Sequence, residues 1–539
     1  MIAGLCAGGG MGGALAISFD KAPGAATPDQ ITPILVQIDD LSAGAPISPL
    51  IYGSNEIGNI DGNGPSVEFD RAAGVTNRRL GGNLMTGYNW ITNATHAGKD
   101  FKHANGAFLL GTLGVAKSDW KKPASVIEVF LANSQVVGAQ SLLTLPLAGF
   151  VAADFDGEVP QAQAAPSARF VPIDWSSQVK PGKMVNIPAL ISFLVARHGA
   201  AAAGGVRGYY LDNEPGLWNE THPRIVNTKP TIKSLIERSL LAAKAIKAAD
   251  PDALVFGPAC WGATEMVNFQ NAPDWNAYRS HSCFLAAYLD AFRRESGRAG
   301  RKLLDVLDVH WYPANRAGDI YGAENSELSG VVLDAPRSLD EAGYCETSWV
   351  ADALGCAPRK GLYLPLLPSL HSLIAENFPG VGLSFGEFNY GGAGLPATGL
   401  AVADVLGRFG RTGVFAANHW GSLAGRIGAA YRLFRMPNSR GACFGRVSLP
   451  VLVSNSPELA FYAARGDLGA IELIAINKSE KKISVDLALS SERPMTLAET
   501  LGFDESQPRC ATIAEKGRNS AGPLRLDMPP MSARRYCFE

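Results

Sequence analysis

The sequence of 539 residues holds no CxxC pair, no HExxH motif and no EF-hand loop spacing. Zinc-ribbon, thioredoxin-like and zincin chemistry therefore have no footing in it. No Ser-His-Asp order is arranged around a GxSxG elbow, which removes serine-hydrolase chemistry. An excess of one charge is missing too. Lys and Arg number 48 against 50 Asp and Glu, a net charge of −2, so nothing marks a partner nucleic acid or an anionic membrane surface. Beyond the N-terminus there is no run of about 18 apolar residues, so no membrane span is expected in a mature chain. Internal repeats and low-complexity linkers are also lacking.

The first 19 residues, MIAGLCAGGGMGGALAISF, carry no charge, and their six glycines make a poor membrane span. They read as a secretory leader over 1–26, with Gly24, Ala25 and Ala26 near a cleavage point. The basic start of such a leader is missing, as in a truncated one; a plain apolar N-terminus is the other reading. Export would place the protein outside the cell or in the periplasm and permit disulfides. The eight cysteines are Cys6, Cys260, Cys283, Cys345, Cys356, Cys443, Cys510 and Cys537. Cys345 with Cys356 closes a short loop and is the first candidate pair; Cys510 with Cys537 is the second. Otherwise they are small buried side chains.

What is present is a large core: 47% of residues are hydrophobic and 18% charged. Eight short, nearly continuous apolar segments end in glycine or polar residues, at 47–55, 75–83, 141–149, 206–215, 253–261, 303–313, 381–392 and 413–421. Such runs suit strands covered on both faces. Helical patterns lie between many of them. Over 231–250, Ile232, Leu235, Ile236, Ala243 and Ile246 form one stripe, and Thr231 can cap the N-terminus. The segments 283–295 and 367–378 look similar. The fold class is therefore α/β, a (β/α)8 TIM barrel over 47–432, longer than the usual ~250 residues and carrying its largest insertion at 316–364. From 433 to 539 short strands follow one another with turn residues between, which predicts a β-sandwich. A further strand segment within 27–46 should join that sandwich, building it from both chain ends.

In such a barrel the active site lies at the C-terminal ends of the strands. The polar residues there are Tyr52, Asn55, Arg78, Arg79, Asn83, Asn213, Glu214, His310, Tyr312, Glu387, Tyr390 and Trp420. Glu214 ends the fourth segment and Glu387 the seventh, which face each other across the mouth of a closed barrel. Two carboxyl groups in different environments can divide into a protonated acid and an ionised nucleophile, as glycoside hydrolysis requires. Trp90, Trp218, Trp261, Trp311 and Trp420 lie near strand ends or their loops. Their flat faces would stack on pyranose rings, or else fill the core.

At DNEPGLWNETHP (212–223) the chain resembles glycoside hydrolase family 44, a clan A family of endoglucanases and xyloglucanases. IYGSN (51–55), RRLGGN (78–83), YNW (88–90), LPLAGFVAAD (145–154), LDVHWYP (307–313) and GEFNYGG (386–392) look like that family's segments in its order. The resemblance implies that Glu214 is the acid/base and Glu387 the nucleophile, acting with retention through a covalent glycosyl-enzyme. It implies that Asn213 binds a 2-hydroxyl, that Tyr312 bonds Glu387 and that Trp420 floors a sugar. One of Arg78 and Arg79 should point at Glu387, and Arg79 is favoured. Phe388, after the nucleophile, departs from the pattern.

The expected function is cleavage of a β-1,4-glucan polysaccharide, xyloglucan or cellulose-type, by a monomer. Mannan, xylan or arabinofuranoside specificity on the same machinery is the nearest alternative, and a catalytically silent carbohydrate-binding protein is another. Catalysis by two carboxylates needs no cofactor. A structural calcium would fit such loops, but no ligand set for a metal is legible.

Overall fold

A computed structural model describes residues 34–56, 66–176, 184–321, 323, 326–453, 456–466, 469–491, 494–513, 519–520 and 524–539. The expected leader and Cys6 lie outside the described residues. Eight strands close a parallel barrel in chain order: β1 Gly53–Asn55, β2 Asn77–Leu80, β3 Gln140–Leu145, β4 Gly208–Leu211, β5 Leu254–Cys260, β6 Val306–Trp311, β7 Gly382–Phe388 and β8 Ala416–His419. Each of the eight apolar segments supplies one of them.

Strand alternation explains why the segments read as continuous apolar runs. Leu142, Tyr210, Phe256, Val306 and Ala416 form one cluster from five strands, with Tyr210 stacked on Phe256 at 4.5 Å. Their neighbours Leu143, Tyr209, Val255 and Leu307 belong to the larger core shared with the helices. The helix Ile232–Ala249 between β4 and β5 buries Ile232, Leu235, Ile236, Ala243 and Ile246, and Thr231 caps it by accepting from the Ser234 N–H at 3.1 Å. Phe284–Ala299 and Leu366–Asn377 occupy the next two intervals. The 316–364 insertion folds into short helices at Ser329–Asp334, Arg337–Asp340 and Trp349–Leu354.

Cys345 and Cys356 form a disulfide with Cα atoms 5.5 Å apart. Cys510 and Cys537 do not pair. Along the strand Met495–Phe503, Cys537 sits opposite Glu499, while Ala511 sits opposite Gly502. That offset puts the two sulfurs several residues apart at about 3.4 Å per residue, beyond the reach of ~7 Å between Cα atoms that a disulfide allows.

Two small three-stranded sheets lie in the loops after β2 and β3, and the strands from the two chain ends stack as two larger sheets. One runs Val451–Val453, Ile34–Ile38, Ile483–Leu489, Leu524–Met528, so the N-terminal segment pairs with strands from the far end of the chain. The other is centred on Leu459–Arg465, Ile471–Asn477 and Ser532–Phe538. Leu473, Phe461 and Tyr536 face Val36, Val485 and Leu487 across the sandwich core. On their other face Ile474, Ile476 and Ala533 join the barrel's core. The helix Gly425–Arg435, which precedes the sandwich strands, runs past the expected boundary at 432 and lies in this contact.

An ionic knot fastens that junction. Asp404, on the barrel helix Pro396–Thr412, bonds Arg408 Nε at 3.1 Å, Lys478 Nζ and the Tyr462 hydroxyl. Lys478 also donates to the Leu333 carbonyl of the insertion at 3.1 Å, and Arg408 reaches Asp340. Burial pushes the Asp404 carboxyl up, but Arg408 and Lys478 outweigh it and hold it well below its ordinary 3.8. A depressed folded-state pKa contributes stability above the unfolded value, lost as pH falls through the folded one. Asp404→Asn, which leaves Lys478 buried without its carboxylate partner and Arg408 paired with Asp340, is expected to cost about 3–5 kcal/mol at neutral pH. Urea unfolding should also show a smaller loss between neutral pH and pH ~3 in the variant than in the parent; equal losses would contradict the assignment.

Candidate active site

The apolar half of GYYLDNEPG is the wall strand β4; the polar half is a turn fixed from several sides. Asp212 and Glu214 take left-handed backbone conformations, with φ of 67° and 43°. L-residues there cost about 1–2 kcal/mol each, so other contacts must hold them. The buried Asp212 carboxylate accepts from the Thr86 hydroxyl at 2.6 Å, from the Asn213 N–H at 2.8 Å, and from the N–H groups of Leu147 and Ala148. Burial pushes its pKa up to about 6 against these bonds. Glu265, pushed up to about 8 by burial, accepts from the Gly216 N–H at 2.8 Å and the Trp261 N–H at 2.9 Å. Trp218 donates its indole N–H to the Asn213 carbonyl at 3.1 Å.

Across the mouth, Glu387 meets Arg79. The guanidinium donates to Glu387 Oε1 at 2.9 Å, to Asn55 Oδ1 at 2.8 Å and to Asn213 Oδ1 at 2.9 Å, and lies 4.6 Å from the centre of the Tyr210 ring. Arg78, one residue earlier, points the other way to Asp70 at 2.7 Å and to Glu56. The two glycines of RRLGGN make room. A Cβ on Gly81 would stand 2.3 Å from the Arg79 guanidinium carbon, and one on Gly82, at φ 79°, would stand 2.6 Å from the Trp420 ring. Tyr312 donates its hydroxyl to Glu387 Oε2 at 2.8 Å.

The β6–β7 register shifts after Val309, so that His310 lies opposite Glu387. Such irregularities re-aim side chains at active sites. His310 Nδ1 is 2.9 Å from Glu214 Oε1 and 3.5 Å from Glu387 Oε2. One ligand-type atom from each of Glu214, His310 and Glu387 lies within 4.8 Å of the others. Burial raises the Glu214 pKa and the Glu387 charge adds to it, while His310 opposes; the result is above the ordinary value. For His310 burial works against the charged ring, but the two glutamates outweigh it and raise its pKa.

Both glutamates open onto a cleft of about 680 Å³ that is also lined by Asn83, Asn213, Tyr312 and Trp420. Asn83 donates to Asp100 at 3.1 Å and accepts on its own amide oxygen from Asn213 Nδ2 at 3.2 Å. The cleft's other wall comes from residues not singled out in the sequence: Asp100, Phe101 and Phe108. Phe101 and Phe108 meet edge-on at 5.4 Å, and Phe101 is 51% exposed. A readable signal was the pair Phe101 and Phe108, which brackets KHANGA (102–107) in the loop after β2.

Four other expected site residues lie elsewhere. Tyr52 precedes β1, at the closed end of the barrel, and packs on Phe434 beside Arg435. Trp90 stacks on Phe193 and donates to the Asn186 carbonyl. Trp218 is buried beneath the turn it supports, and Tyr390 is fully buried. Asn55 is also buried; its amide donates to the Gly386 carbonyl at 2.9 Å, so it positions Arg79 and β7 without facing the cleft. Phe388 is packed between Phe409 and His419 and leaves the cleft's chemistry alone.

A parallel barrel with paired carboxylates at the ends of its fourth and seventh strands is the framework of a glycoside hydrolase. Comparison with known proteins gives the same answer. The model of glycoside hydrolase family 44 matches residues 94–315. Endoglucanase A of Paenibacillus lautus is 35% identical over 515 residues, which cover 92% of this chain and 71% of that protein. The solved family 44 xyloglucanase of Paenibacillus polymyxa, in complex with xyloglucan, has a TM-score of 0.86 and 33% identity, covering 94% of this chain and 99% of its own. The family 44 endoglucanase of Clostridium thermocellum has the same identity, coverage and TM-score. The chain belongs to glycoside hydrolase family 44.

Proposed function

We propose that this hydrolase is a retaining, endo-acting β-1,4-glucanase that cleaves xyloglucan or a cellulose-type chain by double displacement. The observation that carries the mechanism is the approach of Glu214 and Glu387 oxygens to within 4.8 Å. Retaining pairs stand ~5–5.5 Å apart, whereas inverting pairs need ~6.5–9.5 Å to admit a water. Glu387, oriented by Arg79 and Tyr312, attacks the anomeric carbon. Glu214 gives its proton to the glycosidic oxygen, and the leaving chain departs. Glu214 then takes a proton from water, whose oxygen displaces Glu387 and regenerates the free enzyme. Proton and nucleophile both come from side chains, so the reaction needs no cofactor. Asn213, bonded to Arg79, is placed to meet a 2-hydroxyl. The names of the family relatives support a glucan substrate. Working on such a polymer fits export; no helix among the described residues is long and apolar enough to cross a membrane.

Reducing-end release from xyloglucan, carboxymethyl-cellulose, mixed-linkage glucan, xylan and mannan tests the substrate. Activity on the glucans is expected, with Glu214→Gln reduced by about 10²–10⁴-fold on these unactivated substrates and still folded. Release from mannan or xylan alone would contradict the glucan reading, and an undiminished Glu214→Gln would contradict the acid.

The pH profile tests the electrostatics. Glu214 must be protonated to act as acid, so activity falls as pH rises through its pKa. His310 lowers that pKa. His310→Asn removes the cation, and the alkaline limb of kcat/KM should move up by about one pH unit. A limb that stays or moves down would contradict the assigned contact.

A further inference from the structure

His310 meets the two glutamates with one ring nitrogen, Nδ1. Its other nitrogen, Nε2, makes no hydrogen bond and faces Oδ2 of Asp308 at 3.8 Å. That oxygen is without a hydrogen bond as well. Both residues are fully buried. They stand two apart on β6, so alternation turns both side chains to the inside of the barrel. Asp308 has no part in the proton and sugar transfers described above.

The neighbouring strand is shaped around this carboxylate. Phe385 pairs with Val309 and Glu387 with His310, so Gly386 is the extra residue of the register shift. A Cβ on Gly386 would stand 2.6 Å from Asp308 Oδ2 and 2.9 Å from Oδ1; the carboxylate occupies the space that a side chain would need. Ser384, opposite Asp308, donates its hydroxyl to Oδ1 at 2.6 Å. Burial pushes the Asp308 carboxyl up to about 6, with His310 and Arg79 opposing, so it is charged at neutral pH. The other charged groups that face His310 are Glu214 after β4, Glu387 on β7 and Arg79 on β2. Glu265, beyond β5, also faces it, but burial pushes that carboxyl up to about 8. Burial keeps the nearby Tyr210, Cys260 and Tyr312 un-ionised. A buried carboxylate oxygen left unbonded is costly, and the ring nitrogen is the group placed to answer it.

We propose that Asp308 is a positioning residue for the double displacement: seated in the space that Gly386 leaves, it holds His310 as a fixed cation between the two glutamates. The inference rests on the double-displacement reading above. In the free enzyme Glu387 is ionised and Glu214 protonated. Once Glu387 is bonded to the sugar it is a neutral ester, and Glu214, its proton given to the leaving oxygen, carries the charge. The negative charge thus moves from one glutamate to the other. Nδ1 of His310, 2.9 Å from Glu214 and 3.5 Å from Glu387, faces it in both places. A cation that serves both steps must not surrender its own proton to the ionised Glu214. A carboxylate beside Nε2 favours the doubly protonated ring and fixes its orientation. Glu214 regains its proton from water, and His310 keeps both of its own throughout.

The test is the pH profile of kcat/KM on the glucan that the parent cleaves best, for the parent, Asp308→Asn, His310→Asn and the double variant. Asp308→Asn keeps the shape of the side chain and an oxygen for Ser384. Its imidazole should lose a proton at lower pH, leaving Glu214 without the cation, so the alkaline limb moves up by about half a pH unit, less than in His310→Asn. In the His310→Asn background the same substitution should move the limb no further up. A downward shift would make Asp308 only a negative charge near Glu214, and an unmoved limb with lower activity at every pH would make it only a packing residue; either overturns the proposal and leaves the hydrolase reading standing. If Asp308→Asn does not fold, the parent decides: nitrogen-15 NMR of labelled histidines, with His310 assigned by the signal lost in His310→Asn, should show both ring nitrogens protonated at neutral pH, and an unprotonated Nε2 overturns the proposal. A parent inactive on every glucan overturns the reading of the function and this role with it.

Discussion

Arg79 is buried in the mouth of the barrel, and a guanidinium out of water must be neutralised and hydrogen-bonded. Here Glu387 supplies the charge, while Asn55 and Asn213 take further N–H groups. These partners come from the ends of β1, β4 and β7, and Arg79 itself from β2. The cation therefore ties together strands that are far apart in sequence. Glu387 is fixed directly, and Glu214 is fixed through its neighbour Asn213. Gly81 and Gly82 follow from the same demand, since a side chain at either would occupy the space of Arg79 or Trp420.

The other half of the site obeys a similar logic. The turn at 212–214 is strained, and each strained residue is bracketed by buried acceptors. Asp212 grips the β3 loop, and Glu265 grips the segment after Glu214. His310 sits between the two glutamates and meets both. The outer parts of the molecule serve this centre at a distance. The Asp404 knot joins the helix after β7 to the sandwich and to the insertion, and the insertion's disulfide arm reaches back to the β5 rim.

Much of this was legible in the residues. Barrel strands buried on both faces leave continuous apolar runs, so the eight strands could be found in order. Polar residues directly after such runs pointed to Glu214, Glu387, His310 and Tyr312, because a strand end is where they escape the core. Aromatic residues were harder to place. Trp90, Trp218 and Tyr390 follow strands as Trp420 does, yet they fold under loops into packing, and nothing in a local pattern distinguishes a ring turned in from one turned out. Tyr52 failed for a simpler reason: the strand begins at Gly53, so Tyr52 stands before its start and not at its end. Asp212 and Glu265 were passed over because a carboxylate that serves other residues has no periodic signature. The Cys510–Cys537 pairing failed on strand register, which spacing along the chain does not contain.

The central claim is that Glu387 forms a covalent bond to the sugar while Glu214 handles the proton. It is tested most directly by trapping the intermediate. An activated aryl β-cellobioside with fluorine in place of the 2-hydroxyl slows release of the glycosyl-enzyme more than its formation. Mass spectrometry of the inactivated protein should then show one added cellobiosyl unit, carried by the peptide that contains Glu387. Turnover of the normal aryl cellobioside with no adduct from the fluorinated one, or an adduct on another residue, would contradict the account.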